Sequence, residues 1–156
     1  MLVPCLIFAV LALAWILFPV GGNTKEAAKR TQCLSNIKRS VLALSLYATD
    51  HDDRLPPSND WMDAIATQIG PEDMPSCSAL WVNGKPKGYG YAMNRFVSGQ
   101  RLSKDVQIPL VYESTQTKRN ASGYLLDMPN PGRHGGRNNV GFMDGHVKSL
   151  PLQAAR

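Results

Sequence analysis

His134, Asp144 and His146 are the residues of this 156-residue chain whose types and spacing come nearest to a chemical site. Imidazole and carboxylate are both zinc ligands, and the same groups serve in acid–base catalysis. Extended backbone over residues 138–143 would span about 20 Å, so His134 reaches Asp144 only if the glycine-containing loop folds back. The competing reading is structural: Asp144-Gly145 makes a turn and His134 hydrogen-bonds loop backbone. Oxygen donors for calcium occur at Asp127, Asn130, Asn138 and Asn139, and again in the acidic knot Asp50-His51-Asp52-Asp53. Neither group has the ordered ligand spacing of a calcium loop, and the knot reads foremost as a solvated helix end.

Of the three cysteines, Cys5 lies in an apolar run, preceded by Pro4 where a lipidation site needs a small residue. Cys33 and Cys77 remain as the pair able to bridge, and the closed loop of over forty residues would stabilise the fold by roughly 4 kcal/mol on the chain-entropy model. In a reducing compartment the same two residues would be buried small hydrophobes. Both readings stand open. No nucleophile elbow, P-loop, dinucleotide fingerprint or Cys-x-x-Cys pair is present, so neither an enzyme nor a bound cofactor is expected.

The elements that must position these residues begin with the uncharged apolar run over residues 1–20. Its length matches a hydrocarbon core of about 30 Å at about 1.5 Å per residue. A cleaved signal peptide fits less well, because the run has no Lys or Arg ahead of it, exceeds an h-region and ends in no small-x-small site. Trp15 and Phe18 suit an interfacial anchor. Pro19, Gly21 and Gly22 form a joint that bends or interrupts the helix. Left continuous, residues 2–50 would make a rod of roughly 70 Å.

Over residues 24–50 the apolar positions Ala27, Leu34, Ile37, Val41, Leu44 and Ala48 recur at helical period. Leu42 and Leu46 widen the stripe into a face able to cover a sheet. Pro56-Pro57 cannot continue that helix. The formal charge is +5, the pI about 9.3 and the mean hydropathy −0.20, an average over a greasy stalk and a polar head. Lys25, Lys29, Arg30, Lys38 and Arg39, five of the 17 basic residues, read as a collar facing lipid headgroups, with nucleic-acid binding the minority reading. By the positive-inside rule that collar would hold the head in the cytoplasm.

Downstream, residues 61–69 read as a short helix stopped by Gly70-Pro71. Residues 89–93, 109–113, 123–128 and 140–150 have strand character. Asp144-Gly145 predicts a two-residue type I′ hairpin in which Phe142 faces Val147, Val140 faces Ser149 and Met143 pairs with His146. Helix first and strands after predicts an α+β fold with an antiparallel sheet laid on the helix. The expected division is a transmembrane helix over residues 1–22 and a head over residues 23–156, with its helix at 24–50 and its sheet at about 79–151.

The segment RHGGRNNVGFMDGHV, with His134, nine residues and then Asp144-Gly145, resembles the H-X9-DG signature of prepilin-type, pseudopilin-like bacterial proteins. ILFPV at 16–20 and KRTQCLSNIKRSVLALSLYATDHDDRLPP at 29–57 are similar to the region those proteins carry after their pilin helix. Cys77 in PSCS and the stretch Tyr89-Gly90-Tyr91-Ala92-Met93-Asn94 occupy places where the family has a Cys and a Tyr-x-x-Asn-like segment. The match covers nearly everything after residue 15, specific at both ends and loose between about 95 and 130.

The resemblance implies a type IV pilin-like fold, a long helix whose first half crosses a membrane or packs in a filament core and whose second half carries a small antiparallel sheet. The pilin leader and the Phe-Thr-Leu-Ile-Glu start do not precede the run, so the expectation is a pilin-derived subunit fixed in a larger membrane complex. Its expected partners are membrane lipid and other transmembrane subunits. The resemblance and the Cys33–Cys77 pair favour a single-pass protein of the bacterial cytoplasmic membrane with its head on the periplasmic or extracellular side. The alternative function is a minor-pilin-like module whose basic collar captures DNA or another anionic polymer.

Overall fold

The structure, a computed structural model, describes residues 23–151. The apolar run at 1–20, with its joint and Cys5, therefore lies outside the described residues. Among those residues no helix is long and apolar enough to cross a membrane.

The first element, α1 (Asn23–Thr49), follows the helical period of its sequence. Cys33, Ile37, Val41, Leu44 and Ala48 are fully buried along one stripe at gaps of four, four, three and four. Leu42 and Leu46 do not widen that stripe, for they are 48% and 57% exposed on the outer side of the helix. The helix ends as its last carbonyls turn inward: the Asp53 N–H donates to Ala48 O (2.8 Å), with Asp52 and Asp53 at φ 55° and 62°. The acidic knot is thus the helix terminus, a left-handed stop that Pro56-Pro57 follows. The short helix expected at 61–69 is two single turns, α2 (Trp61–Ala64) and α3 (Ala66–Ile69), broken at Ile65. Asn120 Oδ1 accepts from the Met62 N–H (2.7 Å), filling the role of a cap from a distant loop.

The strands are β1 (Trp81–Val82), β2 (Lys85–Pro86), β3 (Tyr91–Asn94), β4 (Pro109–Glu113), β5 (Ser122–Gly123), β6 (Arg137–Phe142) and β7 (Val147–Pro151). The first two form a separate small hairpin; the others form one sheet in the order β5-β3-β4-β6-β7. The long pairings are antiparallel, and β5 joins β3 in parallel as a two-residue edge where residues 123–128 were expected to give a full strand. The architecture is α+β, a long amino-terminal helix against an essentially antiparallel sheet.

Alternation along the strands sends residues to two buried faces. Tyr91, Met93, Val111 and Val147 lie on the helix side with Ile37, Val41 and Leu44. Ala92, Tyr112, Val140 and Phe142 face the other way, packed against Ala121, Leu125 and Met128. Glu113, two positions beyond Val111, falls on the helix face of β4.

The β6–β7 hairpin forms where Asp144-Gly145 predicts it, but one residue out of register. Gly141 pairs with Val147 and Val140 with Lys148, so Phe142 stands opposite His146, and Met143, Asp144 and Gly145 make a three-residue loop. A type I′ turn needs positive φ at both central residues. Gly145 has it (φ 94°), Asp144 does not, and the Gly145 N–H donates to Phe142 O (3.0 Å). That pattern is the three-residue loop with a glycine bulge. The expected pairs Phe142–Val147, Val140–Ser149 and Met143–His146 are accordingly replaced, and Phe142 stacks on the His146 ring at 4.2 Å.

Candidate functional site

Four groups converge under the middle of α1. Cys33 comes from the buried stripe of the helix, and Cys77 from the loop after α3, held where its N–H donates to Tyr89 O (2.9 Å). Glu113 ends β4 opposite Tyr91 of β3. His134 sits in the loop before β6, where its N–H donates to Arg137 O (3.0 Å) and the Gly136 N–H closes back on Gly132 O (3.0 Å). One ligand atom from each lies within 4.8 Å of the other three, and all four residues are buried.

The contacts inside this group are direct. Cys33 and Cys77 are free thiols with their sulfurs 3.0 Å apart. His134 Nε2 is 2.8 Å from Glu113 Oε1 and 3.8 Å from Cys77 Sγ, and Cys77 Sγ is 3.9 Å from Glu113 Oε1. Glu113 Oε2 accepts the Asn139 backbone N–H at 2.9 Å, while Oε1 also receives Asn139 Nδ2 at 3.2 Å. Around them, Ser78 Oγ lies 3.5 Å from Cys33 Sγ. The Arg133 guanidinium clamps Gly90 O (3.0 Å) and Ser114 O (2.6 Å).

This crowding sets the ionisation of the group. The S–H of Cys77 shared toward Cys33 lowers the Cys33 thiol despite its burial, with His134 acting in the same direction. The same shared proton, burial and the Cys33 charge raise Cys77. Burial pushes the His134 imidazole down, but Cys33 and Glu113 outweigh it and carry it up to about 9. Burial, followed by the cysteine charges, holds the Tyr91 phenol well above its ordinary value.

The residues singled out from the sequence are therefore redistributed. His134 is in the core, and its side chain meets Glu113 rather than loop backbone. Asp144 and His146 pair with each other at the hairpin tip, Nδ1 to Oδ1 at 2.6 Å, and are not brought to His134. Asp127 accepts from Tyr112 Oη (2.6 Å), Gln116 Nε2 (2.6 Å) and Ser114 Oγ, so it is a latch between β4 and the following loop. Asn138 Oδ1 accepts the Arg133 N–H (3.0 Å), and Asn139 serves Glu113. Of the oxygens considered for calcium, those of Asp127 and Asn138 are engaged in these separate bonds, while Asn139 gives Glu113 only N–H groups. The basic residues of the expected collar are spread along α1, which rises roughly 20 Å from Lys25 to Arg39. Lys29 pairs with Glu26 (3.1 Å), and Lys38 Nζ donates to Gly145 O (2.6 Å), tying the helix to the hairpin turn.

Glu113 was missed from the sequence. Its signal was a carboxylate closing the otherwise apolar strand Pro109-Leu110-Val111-Tyr112, where burial of an acid demands a partner. Cys33 and Cys77, weighed from the sequence either as a bridge or as buried reduced residues, lie side by side as free cysteines, and their connection to His134 was not legible. No family model, curated protein or solved structure matches this chain.

Proposed function

We propose that the chain is a non-enzymatic, pilin-like structural subunit, anchored in a membrane by the apolar run ahead of α1 and packed through its amino-terminal helix into a filament or larger membrane complex. The observation that supports this best is the placement of α1. Residues 24–28 are exposed, and full burial begins only at Cys33, so the first turns of the helix stand clear of the sheet and continue the chain toward the apolar run. A spine helix with exposed first turns and a small sheet on its second half is what the H-X9-DG resemblance implies. The outward Leu42 and Leu46 supply apolar surface on the side of the helix that the head leaves uncovered.

The test is extraction of the full chain in mild detergent with its native membrane. Co-migrating membrane subunits or filaments are expected, and amino-terminal sequencing of the extracted chain should show whether residue 1 and the apolar run are retained. A monodisperse single chain, or one recovered without detergent and lacking the run, overturns the reading.

A further inference from the structure

We propose that Cys33, Cys77, Glu113 and His134 bind one divalent transition-metal ion of the zinc class, in a closed site that pins α1 to the sheet. The proposal does not depend on the membrane role: it would stand for a head of this fold in any assembly.

The donor set carries the argument. Two sulfurs, an imidazole nitrogen and a carboxylate oxygen are the ligand types zinc takes, and four protein ligands make a tetrahedral structural centre. With bonds of about 2.0–2.3 Å, a tetrahedral centre has edges of about 3.8 Å between two sulfurs, about 3.5 Å from sulfur to nitrogen or oxygen, and about 3.3 Å from nitrogen to oxygen. The edges from Cys77 to His134 and Glu113, 3.8 and 3.9 Å, are already near those lengths. The edges closed by direct hydrogen bonds, 3.0 Å between the sulfurs and 2.8 Å from His134 to Glu113, must each open by less than an ångström. A metal ion replaces the shared protons that now draw them together.

A disulfide between Cys33 and Cys77 would use two of the four groups and leave the other two unexplained. Glu113 and His134 have side chains that are 0% exposed, and both are directed at the cysteines. Burying an ionisable pair is costly unless its charges are compensated. The outer shell is also in place, since the Asn139 N–H holds Glu113 Oε2 and leaves Oε1 turned inward. Three buried side-chain polar atoms have no partner among the described residues, and two of them, His134 Nδ1 and Asn139 Oδ1, belong to this surround. Such atoms gather where a water or an ion belongs. With four protein ligands in a buried site, no coordination position is left for substrate, so the ion's role is structural.

The experiment uses the full chain in mild detergent, purified without chelator, and reads metal content and intact mass together. One zinc per chain is expected, with both thiol hydrogens or the metal accounting for the mass. Protein stripped under reducing conditions should take up one equivalent of cobalt(II), giving the visible bands of a tetrahedral thiolate site, and zinc should displace it. Cys77→Ser should cut the intensity of the sulfur-to-cobalt charge-transfer band to about half or less, since one of two sulfur ligands is lost. Glu113→Gln, which keeps an oxygen acceptor for Asn139 and can be checked for folding by circular dichroism, should weaken zinc by more than the about 10- to 100-fold that outer-shell partners cost. A Cys33–Cys77 disulfide in the purified chain, with no cobalt uptake after reduction, overturns the proposal. So does metal binding that Glu113→Gln and Cys77→Ser leave unchanged.

Discussion

Gly141 on β6 lies so close beneath α1 that a Cβ placed on it would meet Val41 Cγ2 at 2.5 Å and Ile37 Cγ2 at 2.8 Å. The helix reaches the sheet at this point because one strand residue has no side chain. Adding a methyl must push the helix away or twist two β-branched side chains out of their rotamers. Gly141→Ala is expected to destabilise the head by about 1–3 kcal/mol, the usual range for overpacking. Chemical denaturation measures it, and an unchanged midpoint would show that α1 does not sit where it is described.

The two sides of α1 should respond differently to substitution. Ile37→Ala empties a fully buried position and should cost about 2–5 kcal/mol. Leu46→Gln changes a side chain that is 57% exposed and should stay within about 0.5 kcal/mol of the parent. If the outer face packs against other subunits, Leu46→Gln with Leu42→Gln should reduce co-migration in mild detergent while leaving unfolding of the head unaltered. Equal losses of stability on both faces would contradict the orientation of the helix.

Turn geometry at the hairpin makes a third prediction. Gly145 has φ 94°, and its carbonyl accepts Lys38 Nζ at 2.6 Å. Gly145→Ala puts a Cβ into left-handed backbone at a cost of about 1–3 kcal/mol. Lys38→Met keeps the aliphatic stem and removes the charge-assisted hydrogen bond, for an expected loss of about 1 kcal/mol. Thermal denaturation of the two single variants and the double variant should show non-additivity, because both act on one turn.

Asp127 should give the head a measurable acid dependence. Burial raises its carboxyl, but the Ser114, Tyr112 and Gln116 donors outweigh that and hold it below the ordinary 3.8. A depressed folded value means its stabilising contribution is present above the unfolded value and is lost as pH falls through the folded one. Unfolding followed from pH 7 down to 2 should therefore show a decline below about pH 4 that Asp127→Asn flattens. The variant should lose about 1 kcal/mol at pH 7, a figure kept small because the carboxylate is only partly shielded from solvent.

How much of this was legible in the sequence depends on how local the deciding physics is. The period of Ile37, Val41, Leu44 and Ala48 needs nothing beyond one helix turn, and the strand over 109–113 and the turn at Asp144-Gly145 are equally local. The side chosen by Leu42 and Leu46 is not: the fold buries the stripe Cys33, Ile37, Val41, Leu44 and Ala48 and leaves those two leucines outside it, whereas a hydropathy pattern alone allows the wider face. The hairpin shows the same limit. Asp-Gly satisfies either a two-residue or a three-residue loop, and the one-residue difference moves every partner across the strand. In the folded chain Gly141 pairs with Val147 and lies under Val41, and Met143, Asp144 and Gly145 form the loop.

The sequence by itself determined the elements: an apolar run, an amphipathic helix, strands, a turn, and three ligand-type residues scattered at 33, 77 and 134. Only the tertiary structure decided that these three meet one another and Glu113, because chain positions a hundred residues apart become neighbours through the packing of α1 on β4 and β6. It also decided that Asp144 and His146 stay apart from His134, since the strand between them is extended and holds the hairpin tip away from the loop. Local rules act over a few residues, whereas a site built from a helix, two loops and a strand end exists only once the sheet has closed against the helix.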